Sequence, residues 1–137
     1  MVQWLDYWFI IHNTRFMLNS KELGFFAENI AARYLEVGGY EVVDKNYRKP
    51  WGEIDIIARK DEVVIFVEVK SNSQEFEGDF NPEVRVDWKK MAKIKRTAML
   101  YLEHELCGMD LEWQIDVISV VFDRVNKKAK IKHFKNV

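Results

Sequence analysis

Residues 62 to 70, EVVIFVEVK, form a β-branched and aromatic run that reads as a buried strand, and a buried strand obliges other elements to cover it. Two opposite charges, Glu68 and Lys70, interrupt the run where two valines would have fitted. Taking a carboxylate and an ammonium out of water is costly unless they are paired or put to use. The stretch is therefore the centre of the expected fold and also its most informative candidate site.

The flanking periodicities supply the cover. Asn19 followed by Glu22 is an N-cap with a capping-box partner, and Leu23, Phe26, Ala27, Ile30, Ala31, Tyr34 and Leu35 keep helical spacing as far as Gly38 and Gly39. YEVVDKNY (40 to 47) and GEIDIIAR (52 to 59) alternate as strands, and a tight turn around Lys60 and Asp61 joins the second to EVVIFVEVK as an antiparallel meander. A polar loop over residues 71 to 83 precedes a second helix from about Asp87 to Glu105, which buries Met91, Ile94, Ala98, Tyr101 and Leu102. The strands WQIDVISVVF (113 to 122) and KAKIKHF (128 to 134) follow. This order predicts an α/β fold, a central mixed sheet with an antiparallel meander flanked by two long helices. With 137 residues, 48% of them hydrophobic, one domain over 19–137 is expected.

Residues 1–18 stand apart. Trp4, Tyr7, Trp8 and Ile11 fall at helical spacing, so a short amphipathic helix is one expectation, and an upstream extension with Met17 as the natural start is the other. Asp6, His12 and Arg15 break the apolar stretch, which is too short to span a bilayer and lacks the basic start of a secretory signal. One cysteine, Cys107, excludes an internal disulfide, and three scattered histidines give no zinc-ligand spacing. A cytoplasmic setting is expected. The formal net charge of -1 conceals two basic segments, 85 to 96 and 127 to 135, each +5, against -11 for the rest. Basic edges on an acidic body can meet phosphates.

Strand alternation puts Glu68 and Lys70 on one face with Val64 and Phe66, and Glu53 and Asp55 on one face opposite Ile54, Ile56 and Ala58. Pairing around the Lys60 turn brings Asp55 within ~5 to 8 Å of Glu68. Glu28, near the edge of the first helix's apolar stripe, points along the sheet toward the same patch. One lysine is too little positive charge for Glu53, Asp55 and Glu68 together, whereas Mg²⁺ or Mn²⁺ takes oxygen ligands and retains waters. A metal-polarised water is then a nucleophile whose hydroxide form Lys70 would stabilise.

Asp55, then Glu68-x-Lys70, is the D…E-x-K pattern of restriction-endonuclease-like nucleases. Together with GFFAENIAARYLEVGGYEVVDKNYR, GEIDIIA, VIFVEVKS, AMLYLE and IDVISV, it resembles the YraN-like family of small uncharacterised bacterial proteins, from about Leu23 to Val121. It also resembles archaeal Holliday-junction resolvases over the helix glutamate, the aspartate and E-x-K. The resemblance implies a restriction-endonuclease-like fold with Asp55, Glu68, Lys70 and Glu28 at the catalytic positions; Glu53 matches a family position with no assigned role, and it is the shortage of positive charge that sets it with Asp55 and Glu68 as an expected metal ligand. It departs from the family at Ser71-Asn72-Ser73 and at Gln114-Ile115, where basic residues are common.

Arg48, Lys89, Lys93 and Arg96 are the expected DNA contacts. The last three continue a basic stripe from Arg85, opposite Met91, Ile94 and Ala98, suited to a phosphate backbone. Two function classes follow. One is a Mg²⁺-dependent endonuclease for branched or structured DNA, which a homodimer would equip with the two active sites junction resolution requires. The other is a catalytically silent nucleic-acid- or protein-binding module of the same fold.

Overall fold

Asn19 accepts the Glu22 N–H at 2.9 Å and returns a side-chain hydrogen bond to the Glu22 carboxylate, fixing where the first helix starts. In the computed structural model, which describes residues 2–5, 19–74, 87–123 and 128–137, that helix is α1, Ser20–Val37. It ends where Gly39 enters the left-handed region at φ 85°, with the Gly39 and Tyr40 N–H groups bonded to the Glu36 and Leu35 carbonyls. The second helix, α2, spans Trp88–Glu105 with Asp87 as N-cap. The strands are β1 (Val2–Leu5), β2 (Glu41–Lys49), β3 (Gly52–Lys60), β4 (Val63–Gln74), β5 (Trp113–Asp123) and β6 (Lys128–Phe134).

The strands form one mixed sheet in the order β1-β6-β5-β4-β3-β2. Among the described residues, only β4 and β5 pair in parallel, and α2 lies between them in the chain. β4, the apolar run, is central, so both its faces are covered. On one face Ile65 and Val67 join Ile56, Ala58, Ile118, Val120 and Ile131 beneath Ala27, Ile30, Ala31 and Leu35 of α1. On the other, Val64 and Phe66 join Tyr47, Ile54, Ile57 and Ile115 beneath Ile94, Ala98 and Tyr101 of α2. Each fully buried aliphatic or aromatic side chain contributes ~1.5 to 3 kcal/mol of transfer free energy, so the two cores dominate the stabilisation.

Three local expectations are corrected. The β3–β4 turn is Asp61-Glu62, one residue later than expected, because Lys60 pairs with Val63 and both turn residues take positive φ (50° and 65°), as a two-residue hairpin requires. Ser71–Gln74 continue β4 in register with β5 and are not loop. Val2–Leu5 are a strand, not the start of a helix, since they pair antiparallel with β6; Tyr7, Trp8 and Ile11 lie outside the described residues. β6 is consequently covered along its outer side and is not an edge of the sheet. Among the described residues, no helix is long and apolar enough to cross a membrane.

Gly52 sets the approach of α2 to β3. A Cβ at this position would run into the Thr97 hydroxyl, which donates to the Lys93 carbonyl at 2.8 Å. Gly52→Ala is therefore expected to lower stability by ~1 to 3 kcal/mol, the range for overpacking. Thermal melts should show Thr97→Ala, which deletes the obstructing oxygen, recovering only part of that loss in the double variant, because the φ of 157° at position 52 strains any side chain there.

Candidate functional site

β3 turns over at Asp55. Its pairing with β4 runs from Lys60 with Val63 to Ile56 with Val67 and goes no further, while its pairing with β2 passes from Lys45 with Ile56 to Tyr47 with Ile54, skipping Asp55. Asn46, on the skipped step, has φ 55°. As a result Ile56 packs under α1 whereas Ile54 packs with Tyr47 under α2, so the expectation that Ile54, Ile56 and Ala58 share a face holds only for the last two. Where the strands part, the Asp55 carboxylate takes the place of a backbone carbonyl and accepts the Val69 N–H at 2.8 Å.

Glu68 is on the α2 face with Val64 and Phe66, as alternation predicts, and is only 8% exposed. Its carboxylate pairs with the ammonium of Lys90, from the first turn of α2. Lys70, half-buried, follows two residues along β4, whose register with β5 is unbroken from Val64 to Gln74, so it shares that face.

Burial, followed by the neighbouring charge of Glu68, pushes the Asp55 carboxyl up from 3.8 to about 7. The Val69 N–H opposes the rise, and Glu28 adds to it. Withdrawal of the carboxyl from water is the larger cause, and the like charge of Glu68 adds to it. Lys90 shows the complement: its hydrogen bond to Glu68 raises its pKa against burial, and Asp55 and Glu53 reinforce the rise.

The predicted residues thus converge unequally. Asp55 and Glu68 come together, and half-buried Glu28 reaches them through its charge. Glu53 is exposed and faces Arg48 across the β2–β3 ladder, Nε to Oε2 3.7 Å, with both side chains largely in water. Among the described residues, no group of three or more His, Cys, Asp or Glu side chains is disposed to hold a metal ion. The donor set is therefore a two-carboxylate pair. That fits Mg²⁺, which commonly takes one or two carboxylates and keeps several waters, and does not fit a closed zinc or calcium cage. Lys89, Lys93 and Arg96 are exposed along α2, and Arg85 lies outside the described residues.

Two features escaped sequence reasoning. Lys90 falls in the basic segment 85 to 96 and is not among the expected site residues, yet it stands four residues before buried Ile94 and seven before buried Thr97, so it prolongs the sheet-facing stripe; that spacing is the available signal. The second is a buried network beneath α1. His133 Nε2 lies 2.7 Å from Asp116 Oδ2 and donates to it, leaving Nδ1 to accept from the Tyr34 hydroxyl 3.2 Å away. Asp116 Oδ1 accepts from Gln114 at 2.7 Å and from the Asn136 N–H at 2.9 Å. Burial alone would push the Asp116 carboxyl up, but the hydrogen bonds from His133, Asn136 and Gln114 outweigh it and hold the pKa below the ordinary value.

Against known proteins, the model described as "Uncharacterised protein family UPF0102" matches residues 27–120. A UPF0102 protein of Fervidobacterium nodosum is 43% identical over 112 residues, 81% of this chain and 77% of its own length. One from Campylobacter fetus is 42% identical over 83% of this chain and 91% of its own. One from Alkaliphilus oremlandii is 40% identical over 85% and 97%. The resemblance to the YraN-like family, read from the motifs, is borne out.

Two outcomes follow from the geometry. Because the folded chain protonates Asp55 more readily than the unfolded chain does, this group favours folding at acid pH, and that advantage is lost as pH rises from about 4 through about 7. Asp55→Asn keeps an oxygen for the Val69 N–H and removes the charge. In chelator it should raise stability by on the order of 2 kcal/mol near pH 8, the gain shrinking toward pH 4, as paired thermal melts would show. Asp116→Ala should cost ~3 to 5 kcal/mol by denaturant titration, since it strands His133, Gln114 and the Asn136 N–H without an acceptor.

Proposed function

The chain belongs to the uncharacterised protein family UPF0102, and we propose that it is a metal-dependent nuclease hydrolysing phosphodiesters in branched or structured DNA. The observation that carries this reading is the pair Asp55 and Glu68 at the parting of β3 and β4, with Asp55 pushed to about 7 by burial and by the charge of Glu68, and Lys70 two residues beyond Glu68. The strand fork, the helix between β4 and β5 in the chain and the D…E-x-K spacing also support a restriction-endonuclease-like fold.

Asp55 and Glu68 would hold Mg²⁺ or Mn²⁺, which when bound supplies charge neutralisation and a lowered pKa for water. Lys70 would hold the attacking water and stabilise the negative charge that grows on the phosphate, an interaction present only along the reaction path. Glu28 would accept a hydrogen bond from water on the α1 side. Lys89, Lys93 and Arg96 would follow the backbone without reading bases.

A second reading draws on the ion pair between Glu68 and Lys90, which already neutralises one carboxylate and would suit a catalytically silent binding module. Lys70→Met separates the two. A nuclease should retain its fold, its Mn²⁺ affinity and its DNA affinity, yet lose cleavage by about a hundredfold or more. Wild-type protein inert toward junctions, flaps and single strands in both Mg²⁺ and Mn²⁺ would sink the nuclease and leave the module.

A further inference from the structure

We propose that Lys90 is the resident counter-cation of the carboxylate pair, holding Glu68 until a divalent ion displaces it, a role that rests on taking Asp55 and Glu68 as metal ligands. The two ends of the Lys90–Glu68 bond differ in burial. The Glu68 side chain is 10% exposed, whereas that of Lys90 is 55% exposed. A carboxylate so placed needs a cation at all times. The lysine, on a flexible four-carbon stem, can return to water.

The anchoring of α2 makes this a side-chain event. Ile94, Thr97, Ala98 and Tyr101 are buried in the core that α2 shares with the sheet, and Asp87 caps the helix through the Lys89 N–H. The Lys90 backbone is thereby held in place, and only its ammonium has to leave. A divalent ion and an ammonium beside one buried carboxylate repel each other, and the repulsion is stronger than in water because the surroundings are less polar. Since Asp55 and Glu68 carry at most two negative charges, adding a divalent ion without losing Lys90 would overcharge the pair. Exchange replaces the single positive charge of Lys90 with the two of the divalent ion, which match the two carboxylates.

The exchange has two consequences. Metal binding should be weaker than two carboxylates alone would make it, because Lys90 competes for Glu68. The released ammonium returns to the exposed start of α2 beside Lys89 and Lys93, adding positive charge to the face proposed to meet phosphates. Metal binding and DNA binding would then favour one another through a single side chain.

Calorimetric titration with Mn²⁺ tests the competition. Lys90→Met is expected to bind Mn²⁺ about tenfold more tightly than wild type, and Lys90→Arg close to wild type, since the arginine restores a competing cation. Unmodified protein offers a readout that needs no variant: limited acylation followed by mass spectrometry should find Lys90 several-fold more reactive in saturating Mg²⁺, with Lys95 unchanged. Wild type that binds Mn²⁺, together with a Lys90→Met protein that binds it no more tightly, would overturn the role of Lys90 and leave the metal site standing. Unchanged Lys90 acylation on binding Mg²⁺ would do the same. Absence of Mn²⁺ binding by wild type and both variants would overturn the metal site and the role of Lys90 together.

Discussion

One hydrogen bond organises the candidate site: the Val69 N–H donates to the Asp55 side chain, where an uninterrupted ladder would have supplied a backbone carbonyl. The substitution is possible because β3 pairs with neither neighbour at Asp55. Once the ladder opens there, a carboxylate is brought into the sheet beside Glu68, and the opening is occupied by charge. Buried charge of one sign requires a compensating cation, and this requirement accounts for the raised Asp55 pKa and for the lysine drawn in from α2.

The two cores position what surrounds the fork. α1, seated on Ile56, Ile65, Val67 and Ile118, brings Glu28 within electrostatic reach of Asp55. Its later turns are tied to the sheet by the Tyr34 bond to His133, which Asp116 in turn orients. α2, seated on Phe66, Tyr47 and Ile54, delivers Lys90, and Gly52 permits its close approach over Thr97. Ile54 lies on the α2 side only because β3 turns over one residue later. The same irregularity that frees the Asp55 carboxylate to bond the Val69 N–H thus supplies an anchor for the helix that neutralises Glu68.

Family membership gives this arrangement its setting without assigning it a chemistry, since the family description and the three relatives named above state none. Two carboxylates with a lysine two residues along are suited to a hard divalent ion and to phosphoryl chemistry. Glu53, expected as a third ligand, instead faces Arg48 on the exposed side of the hairpin, so neither residue joins the pair at the fork.

Much of the fold was legible because its signals are local. Helical and strand periodicities, the Asn19 cap and the paired glycines after Leu35 depend on neighbours within a few residues, and they fixed both helices and five of the six strands. The sixth, Val2–Leu5, is a strand through its pairing with β6 more than 120 residues away, for which a four-residue segment carries no sign. The pairing of Asp55 with Glu68 could be deduced, as it needs only one hairpin and strict alternation. Only tertiary structure decided the fork itself, the separation of Ile54 from Ile56, the withdrawal of Glu53, the partnership of Lys90 with Glu68, and the burial of Asp116 against His133. Each of these depends on how twisted strands and packed helices meet across long sequence separations, where the balance between desolvation and pairing is set by burial that no local pattern encodes.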